Sequence, residues 1–475
     1  MDKRFDNTTW REKMEIKLDV NNMFSDKIGE KHGIKRAIVD EHQEKIHELH
    51  QAIKEQEKEG KMGFMELPFQ DRKIIEKIKE VAKKLEGNIE NFVVLGIGGS
   101  ALGSIALKTA LKDPYLDLKS EVPKLFIPDN VDPVRFKKLL ERLNLEKTVF
   151  NIISKSGGTA ETMSLFLIAR KAVKKEVADA NLADHFIATT SEKTGYLIKI
   201  AEREGLTTFN IPDNVGGRFS VLSPVGLLFA ATAGIDIEEL LAGARYMYHK
   251  CDNGNLWKNP AYLMGLLQYL AYQDGKKMSV MMPYSHQLKD IADWYRQLWA
   301  ESLGKELDRD GNTVNVGPTP IQALGATDQH SQSQLYMEGP YDKIINFIEV
   351  KQFEERVEIP EAYSDIEGVS YLGGHSLNKL IKTEKKATEL ALTNRNRMNN
   401  SIILPEINEF TLGQLFYYLE LQTALIGELF NINAFNQPGV ELSKNYTYGI
   451  LGRKGYEEMK IEYENKPQKS EDLIL

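Results

Sequence analysis

Three observations in the sequence predict an α/β fold of two domains, each a mainly parallel sheet flanked by helices. Between residues 92 and 211, short β-branched runs alternate with segments of helical spacing, the pattern of a parallel sheet covered on both faces. Two of the strand-to-helix crossings carry glycine-rich polar loops, GIGGS at 96–100 and SKSGGT at 154–159, and open parallel sheets bind ligands at such crossings. The third observation is size. At 475 residues the chain exceeds what a single core usually sustains, and past about residue 240 helix dominates the pattern. The expected division is an N-terminal helical segment, 1–70, a smaller α/β domain, 71–240, and a larger one, 241–475, with a helical tail.

Taken in order, residues 1–31 carry mixed charge and little pattern. Ile34, Ile38, Ile46, Leu49 and Ile53 then fall close to helical spacing among Glu, Lys and His, which predicts one long amphipathic helix over 33–60. His32, His42, His47 and His50 crowd it, but the charges between them read as solvated and no third ligand converges, so they are read as surface residues and not as a metal site. Asp71 opens a helix over 71–85, with Ile74, Ile75, Ile78, Val81 and Leu85 on one face and Gly87 at its end. Strands are predicted at 92–97, 124–127, 148–153, 185–189 and 208–211, with helices near 101–112, 132–143, 160–178 and 193–204 between them. Another helix starts at Ser223. Farther on, helices are expected at 254–275, 286–303, 376–396 and 410–430, and strands at 277–282, 343–350 and 401–404. No internal repeat and no low-complexity tract interrupts this pattern.

The stretch TVFNIISKSGGTAETM at 148–163 is a buried strand emptying directly into a helix. Gly157 and Gly158 let the backbone turn and leave no Cβ between the amides and a ligand. The first N–H groups of a helix lack partners within it and carry partial positive charge, and here Ser154, Lys155, Ser156 and Thr159 surround them. That set suits an anion, most simply a phosphate ester, although Thr159 is also placed to be a plain N-cap. Lys155 precedes the glycines and the GxxxxGK[ST] order is absent, so a small phosphorylated metabolite is expected rather than a mononucleotide. GIGGSALG at 96–103 also contains the dinucleotide-type spacing GxGxxA. Asp129 lies too far along to be the usual ribose partner, and two anion-suited loops in one sheet fit a single phosphate better. A nicotinamide or flavin cofactor is therefore not expected.

PDNVGGRFS at 212–220 places Arg218 beside two glycines. Arginine suits negative charge developing on oxygen, and it equally suits an ion pair across a domain boundary. Within helix 286–303, Ile291, Trp294, Leu298 and Ser302 mark one face, and Gln297 and Glu301 lie one turn apart at its border. A carboxylate beside Trp294 and Leu298 would be partly desolvated, as suits a base, while Glu301 with Lys305 also reads as an i,i+4 surface pair. Spacing leaves the two open. His330 sits in the polar loop GATDQHSQ with no apolar partner to pack it. Pro438 opens a helical turn from which Gln437, Glu441 and Lys444 project.

Composition narrows the class. A net charge of −8 argues against a general nucleic-acid binder, so an anion must be held by local donors. No apolar run is long enough for a bilayer, and MDKRFDNTTW at the N-terminus has no hydrophobic segment ahead of a cleavage site, so the cytoplasm is the expected location. A single cysteine, Cys251, excludes a disulfide framework within the chain and reads as a packed thiol.

Together these stretches resemble the phosphoglucose isomerase family. DNVGGRFSVLSPVG at 213–226 matches one family signature, and GELF through FNQPGVELSK, 427–444, matches another. GIGGS, SKSGGTAET at 154–162, ESLGK at 301–305 and DQH at 328–330 fall in the expected order around them. The resemblance implies two sugar-isomerase type domains in the shorter bacterial form, with the N-terminal segment packed on the larger domain. It also implies a homodimer with active sites at the subunit interface, and an enzyme of glycolysis and gluconeogenesis without metal or cofactor. The implied reaction is reversible isomerisation of glucose 6-phosphate and fructose 6-phosphate, with a non-catalytic sugar-phosphate sensor as the alternative. Gly99, Ser100, Ser154, Ser156 and Thr159, with backbone near Lys155, are implied to hold the phosphate, and Gln297 and Gln437 to orient the sugar. Lys444 and His330 of the partner subunit would assist ring opening. Glu301 would carry a proton between carbons through a cis-enediol(ate) whose oxygens Arg218 stabilises. Two departures stand out: Asn436 where some relatives carry aspartate, and Gly157-Gly158 in place of bulkier residues of the longer members.

Overall fold

The computed structural model describes residues 8–115, 123–179, 181–467 and 469–475. Its strands, in chain order, are β1 (Lys17–Asp19), β2 (Asn91–Leu95), β3 (Lys124–Phe126), β4 (Thr148–Ile153), β5 (Phe186–Thr190) and β6 (Thr207–Asn210). β7 (Met278–Pro283), β8 (Lys305–Leu307), β9 (Thr313–Val316), β10 (Thr319–Gln322), β11 (Lys343–Val350) and β12 (Asn399–Leu404) follow. The first sheet runs β3-β2-β4-β5-β6 and is parallel throughout. β2, β4 and β5 are buried along their whole length, as apolar runs covered on both faces must be. From β2 the chain crosses to β3 on one side and then returns to β4 on the other. The loops after β2 and β4 therefore emerge side by side at a topological switch point.

The second sheet runs β1-β12-β11-β7-β10, parallel except for β1, which is antiparallel to β12. β1 was invisible to periodicity because three residues cannot show it, and the same holds for the short hairpin of β8 and β9. β11 is buried at every position, while the exposed rim of β10 left its apolar content too low to read as a strand. The single helix expected over 33–60 is in fact two, Arg36–Glu41 and Gln43–Lys58, broken at His42, with Ile34 preceding both in a bridge to Phe24. His50 is a further correction. It is half-buried with Nδ1 3.1 Å from the Tyr262 hydroxyl, and burial pulls its pKa down. The N-terminal segment is held on the helices of the second sheet, where the Ile16 amide donates to Gln414 at 3.1 Å and the Lys54 ammonium to Tyr248 at 2.7 Å.

The core of this half is the helix Glu409–Leu429, mostly apolar and buried almost throughout, with Gln414 and Glu420 among its buried residues. It crosses Ile237–Cys251 at a pair of glycines. A Cβ on Gly413 would lie 1.9 Å from the Leu240 carbonyl, and one on Gly243 would lie 2.0 Å from that of Phe410. Cys251, at the end of the second of these helices, is a packed thiol: burial pushes it up to about 12, and its Sγ lies 3.5 Å from the Met247 sulfur. Among the described residues no helix is long and apolar enough to cross a membrane. The glycine crossing gives a direct test. Gly413→Ala should lower the unfolding free energy by about 3 kcal/mol in urea titrations, the upper range for overpacking a close contact. An unchanged midpoint would mean that the helices separate at no cost.

Candidate active site

The loops after β2, β4 and β6 meet the end of the helix Lys289–Leu303 and the turn Pro438–Val440. They enclose a cavity of about 560 Å³. Gly99, Ser100, Ser156, Thr159, Arg218, Gln297, Glu301, Gln437 and Lys444 all line it, joined by Gly98, Glu161 and Tyr448. Residues spread over most of the sequence thus share one space.

The loop after β4 holds its shape by its own hydroxyls. Ser154 Oγ accepts from the Gly157 amide at 3.0 Å and lies 3.1 Å from the Thr159 hydroxyl, and Ser156 Oγ accepts from the Gly158 amide at 3.1 Å. Gly157 has φ +64°, and a Cβ there would lie 2.1 Å from the Leu197 amide nitrogen, so both conformation and packing require glycine. Thr159 stands at the cap position of the helix Ala160–Glu176, yet its side chain makes no capping bond. The start of that helix, Ala160 and Glu161, faces the cavity, where amides left uncapped by Thr159 suit an anion. Two members of the expected set do not reach it. Ser154 is buried beneath the loop, and the Lys155 ammonium turns away to the carbonyls of Asp213 at 2.6 Å and Val215 at 3.1 Å. Burial pulls the Lys155 pKa down, against the attraction of Asp213.

The loops after β2 and β6 interlock through glycine. A Cβ on Gly99 would lie 2.1 Å from the Gly217 carbonyl carbon, so the two backbones touch directly. Gly98, at φ +56°, presents its backbone to the Gln297 amide. This contact delivers Arg218, whose side chain is 1% exposed. Its Nε donates to Ser302 Oγ at 2.7 Å, and its Nη1 to Glu301 at 3.2 Å and to Gln437 at 2.9 Å. Its Nη2 donates to the Ala434 carbonyl at 2.6 Å and the Asn436 carbonyl at 3.2 Å. Burial lowers the guanidinium's pKa and Glu301 opposes this; from so high an ordinary value it stays charged. Asn436 contributes backbone here, so its side-chain difference from aspartate leaves the contact intact.

Glu301 accepts from Gln297 Nε2 at 2.9 Å, and its side chain is 33% exposed toward the cavity. Trp294 and Leu298 do not wall the carboxylate as expected, because both point into the core and neither lines the cavity. The surface pair of Glu301 with Lys305 is also absent. Lys305 is buried and donates to the Glu301 carbonyl, not to the carboxylate. Gln297 Oε1 is buried without a hydrogen-bond partner. Lys444 is exposed and lies 2.8 Å from Glu441. His330, in the turn Thr327–His330, is exposed and does not line the cavity within this chain. Ser302 and Tyr448 were not foreseen. Ser302 was marked only as part of the helix's packed face, not as a partner of Arg218, and Tyr448 was signalled only by lying one helical turn beyond Lys444. Among the described residues no group of three His, Cys, Asp or Glu side chains converges as a metal site would.

The two-sheet fold and its shared cavity at the switch point define a sugar-isomerase type α/β enzyme. The phosphoglucose isomerase family model matches residues 12–468, and the chain belongs to that family. It is 48% identical over 453 residues to the glucose-6-phosphate isomerase of Carboxydothermus hydrogenoformans, covering 94% of this chain and 97% of that protein. It is 41% identical over 391 residues to that of Thermus thermophilus, covering 81% and 89%. Among solved structures, a hypothetical protein of Thermus thermophilus superposes with a TM-score of 0.81 at 36% identity, covering 92% of this chain and all of that one. The contact between the loops after β2 and β6 yields a prediction. Gly99→Ala should cut isomerase turnover about 100-fold by displacing Arg218, while far-UV circular dichroism stays unchanged. Unaltered turnover would show that the interlock does not position the arginine.

Proposed function

We propose that this chain interconverts glucose 6-phosphate and fructose 6-phosphate, in glycolysis and gluconeogenesis, by opening the sugar ring and moving a proton between C1 and C2. The carrying observation is that one cavity holds the Glu301 carboxylate, the buried Arg218 guanidinium and the hydroxyl-lined helix start at Ser156–Thr159. A phosphate on that helix start, with Ser100 and the Gly99 backbone beside it, anchors one end of the substrate. Lys155 supports the loop from behind, and Ser154 keeps its amides aimed. At the other end Glu301 removes the proton from one carbon and returns it to the next. The negative charge that builds on the enediolate oxygens is offset by Arg218, which acts through its fixed positive charge because its N–H donors are already engaged by the protein. Gln297 and Gln437 orient the hydroxyls, and Lys444 serves ring opening.

A non-catalytic sugar-phosphate sensor would use the same anion loop. It would have no use for a carboxylate held 3.2 Å from a buried arginine, and this pair favours the enzyme. The units are taken as 71–240, bearing the phosphate loop, and 241–475 with 1–70, bearing the base; the expected cellular compartment is the cytoplasm.

His330 would act in the cavity of a second copy, in a homodimer. Support comes from its neighbourhood. Leu335 at 50% exposure and Leu390 at 60% lie on the paired helices Ser333–Glu338 and Leu377–Asn394, and Val357, Tyr363 and Tyr371 are also exposed nearby in sequence. Such apolar exposure is what an interface covers.

Two measurements follow. Glu301→Gln should lower kcat about 1,000-fold with little change in KM, the signature of a lost proton-transfer group; near-normal kcat would remove Glu301 from the mechanism. If His330 acts across the interface, unfolding and refolding Glu301→Gln and His330→Ala subunits in equal mixture should restore about a quarter of wild-type activity, because each mixed dimer has one intact site. No recovery above the separate variants would place His330 in its own subunit's site or outside catalysis.

A further inference from the structure

The helix Lys289–Leu303 ends at Gly304, and the last carbonyls of a helix have no partner inside it. Here two of them are taken by one buried cation. The Lys305 ammonium donates to the Glu301 carbonyl at 2.6 Å and to the Ser302 carbonyl at 2.9 Å, and the residue is 8% exposed. A cation is well placed at the negative end of a helix. The two residues it grips carry the site: Glu301 presents the carboxylate, and Ser302 Oγ accepts from Arg218 Nε at 2.7 Å. Lys305 in turn is anchored at the start of β8, paired with Val316 of β9. Its grip is thus referred to the hairpin, outside the cavity.

We propose that Lys305 is a positioning residue for the isomerisation, a clamp on the final helical turn that fixes where the Glu301 carboxylate stands relative to Arg218. It rests on the isomerase reading above and adds a residue that touches no substrate. The clamp depends on a proton, since an ammonium donates more strongly to carbonyls than a neutral amine. Burial pulls this ammonium down to about 8; Arg218, on the turn Gly217–Phe219, adds to that fall, and the Glu301 carboxylate, on the helix itself, opposes it. Between that value and the ordinary lysine value the unfolded chain binds the proton more firmly than the folded one. Losing it there adds to this group's contribution to stability rather than subtracting from it. Alkaline loss of turnover and loss of fold are therefore separable.

The test is steady-state kinetics on glucose 6-phosphate from about pH 6 to 9.5, with thermal melting, for wild type, Lys305→Met and Lys305→Arg. Wild-type kcat should fall above about pH 8 with no parallel fall in melting temperature. Lys305→Met should lower kcat about 100-fold, with KM within about threefold, and should lose the alkaline limb. Lys305→Arg, charged throughout, should recover most of kcat and carry the limb beyond the range measured. The clamp is overturned by Lys305→Met turning over within about twofold of wild type, or by Lys305→Arg keeping the wild-type limb. Should the methionine variant not fold, the arginine variant's limb decides alone. An inactive wild type sinks both this proposal and the isomerase reading, whereas an active one indifferent to Lys305 sinks the clamp only.

Discussion

Arg218 belongs to the half of the chain that builds the first sheet, yet every hydrogen bond recorded for its guanidinium goes to residues between 301 and 437. A cation at 1% exposure is tolerable only if its donors are met, since an unpaired buried charge costs several kcal/mol. Here the donors are met by a serine hydroxyl, two backbone carbonyls, a glutamine and a carboxylate, all from the other half. The two sheets are therefore registered on each other by a group that also lines the shared cavity. On the proposed mechanism, structural and catalytic demands fall on one side chain.

The glycine pattern follows from this constraint. For Arg218 to reach across, its loop must come within contact of the loop after β2, and Gly99 against Gly217 leaves no room for a Cβ between the two backbones. On the far side of the cavity the demand is different. The loop after β4 closes on itself, its Gly157 and Gly158 amides donating to Ser154 and Ser156, while the helix start beyond it stays uncapped by Thr159. Gly99 and Gly217 bring loop against loop, and Gly157 brings its loop against Leu197.

The helix Lys289–Leu303 joins these demands. Its apolar face, with Trp294 stacked edge-on to Phe416, is fixed in the core, and its border residues Gln297 and Glu301 are what the cavity sees. A rigid helix sets a carboxylate more exactly in space than a loop would, but only if its last turn does not fray. The buried ammonium of Lys305 meets the carbonyls where fraying would begin. Precision at Glu301 is thus a property of the helix, the arginine before it and the lysine after it.

The sequence by itself determined the alternation of β2 to β6 with their helices, because buried strands and amphipathic helices impose periods that a chain cannot hide. It also pointed to the shared cavity: the stretches that resemble the family carry Glu301, Arg218 and Gln437, and all three line it. Tertiary structure alone decided direction. Lys155 and Lys305 both read as exposed or ligand-facing cations, and both turn instead to backbone carbonyls, Lys155 to those of the distant loop after β6 and Lys305 to those of the helix end just before it. Trp294 and Leu298, expected beside the carboxylate, face the core, and β1 exists only because β12 offers it an edge. Periodicity records which residues must leave water; which partner a polar group such as Arg218 then finds depends on contacts between segments far apart in the chain, and no local pattern encodes that.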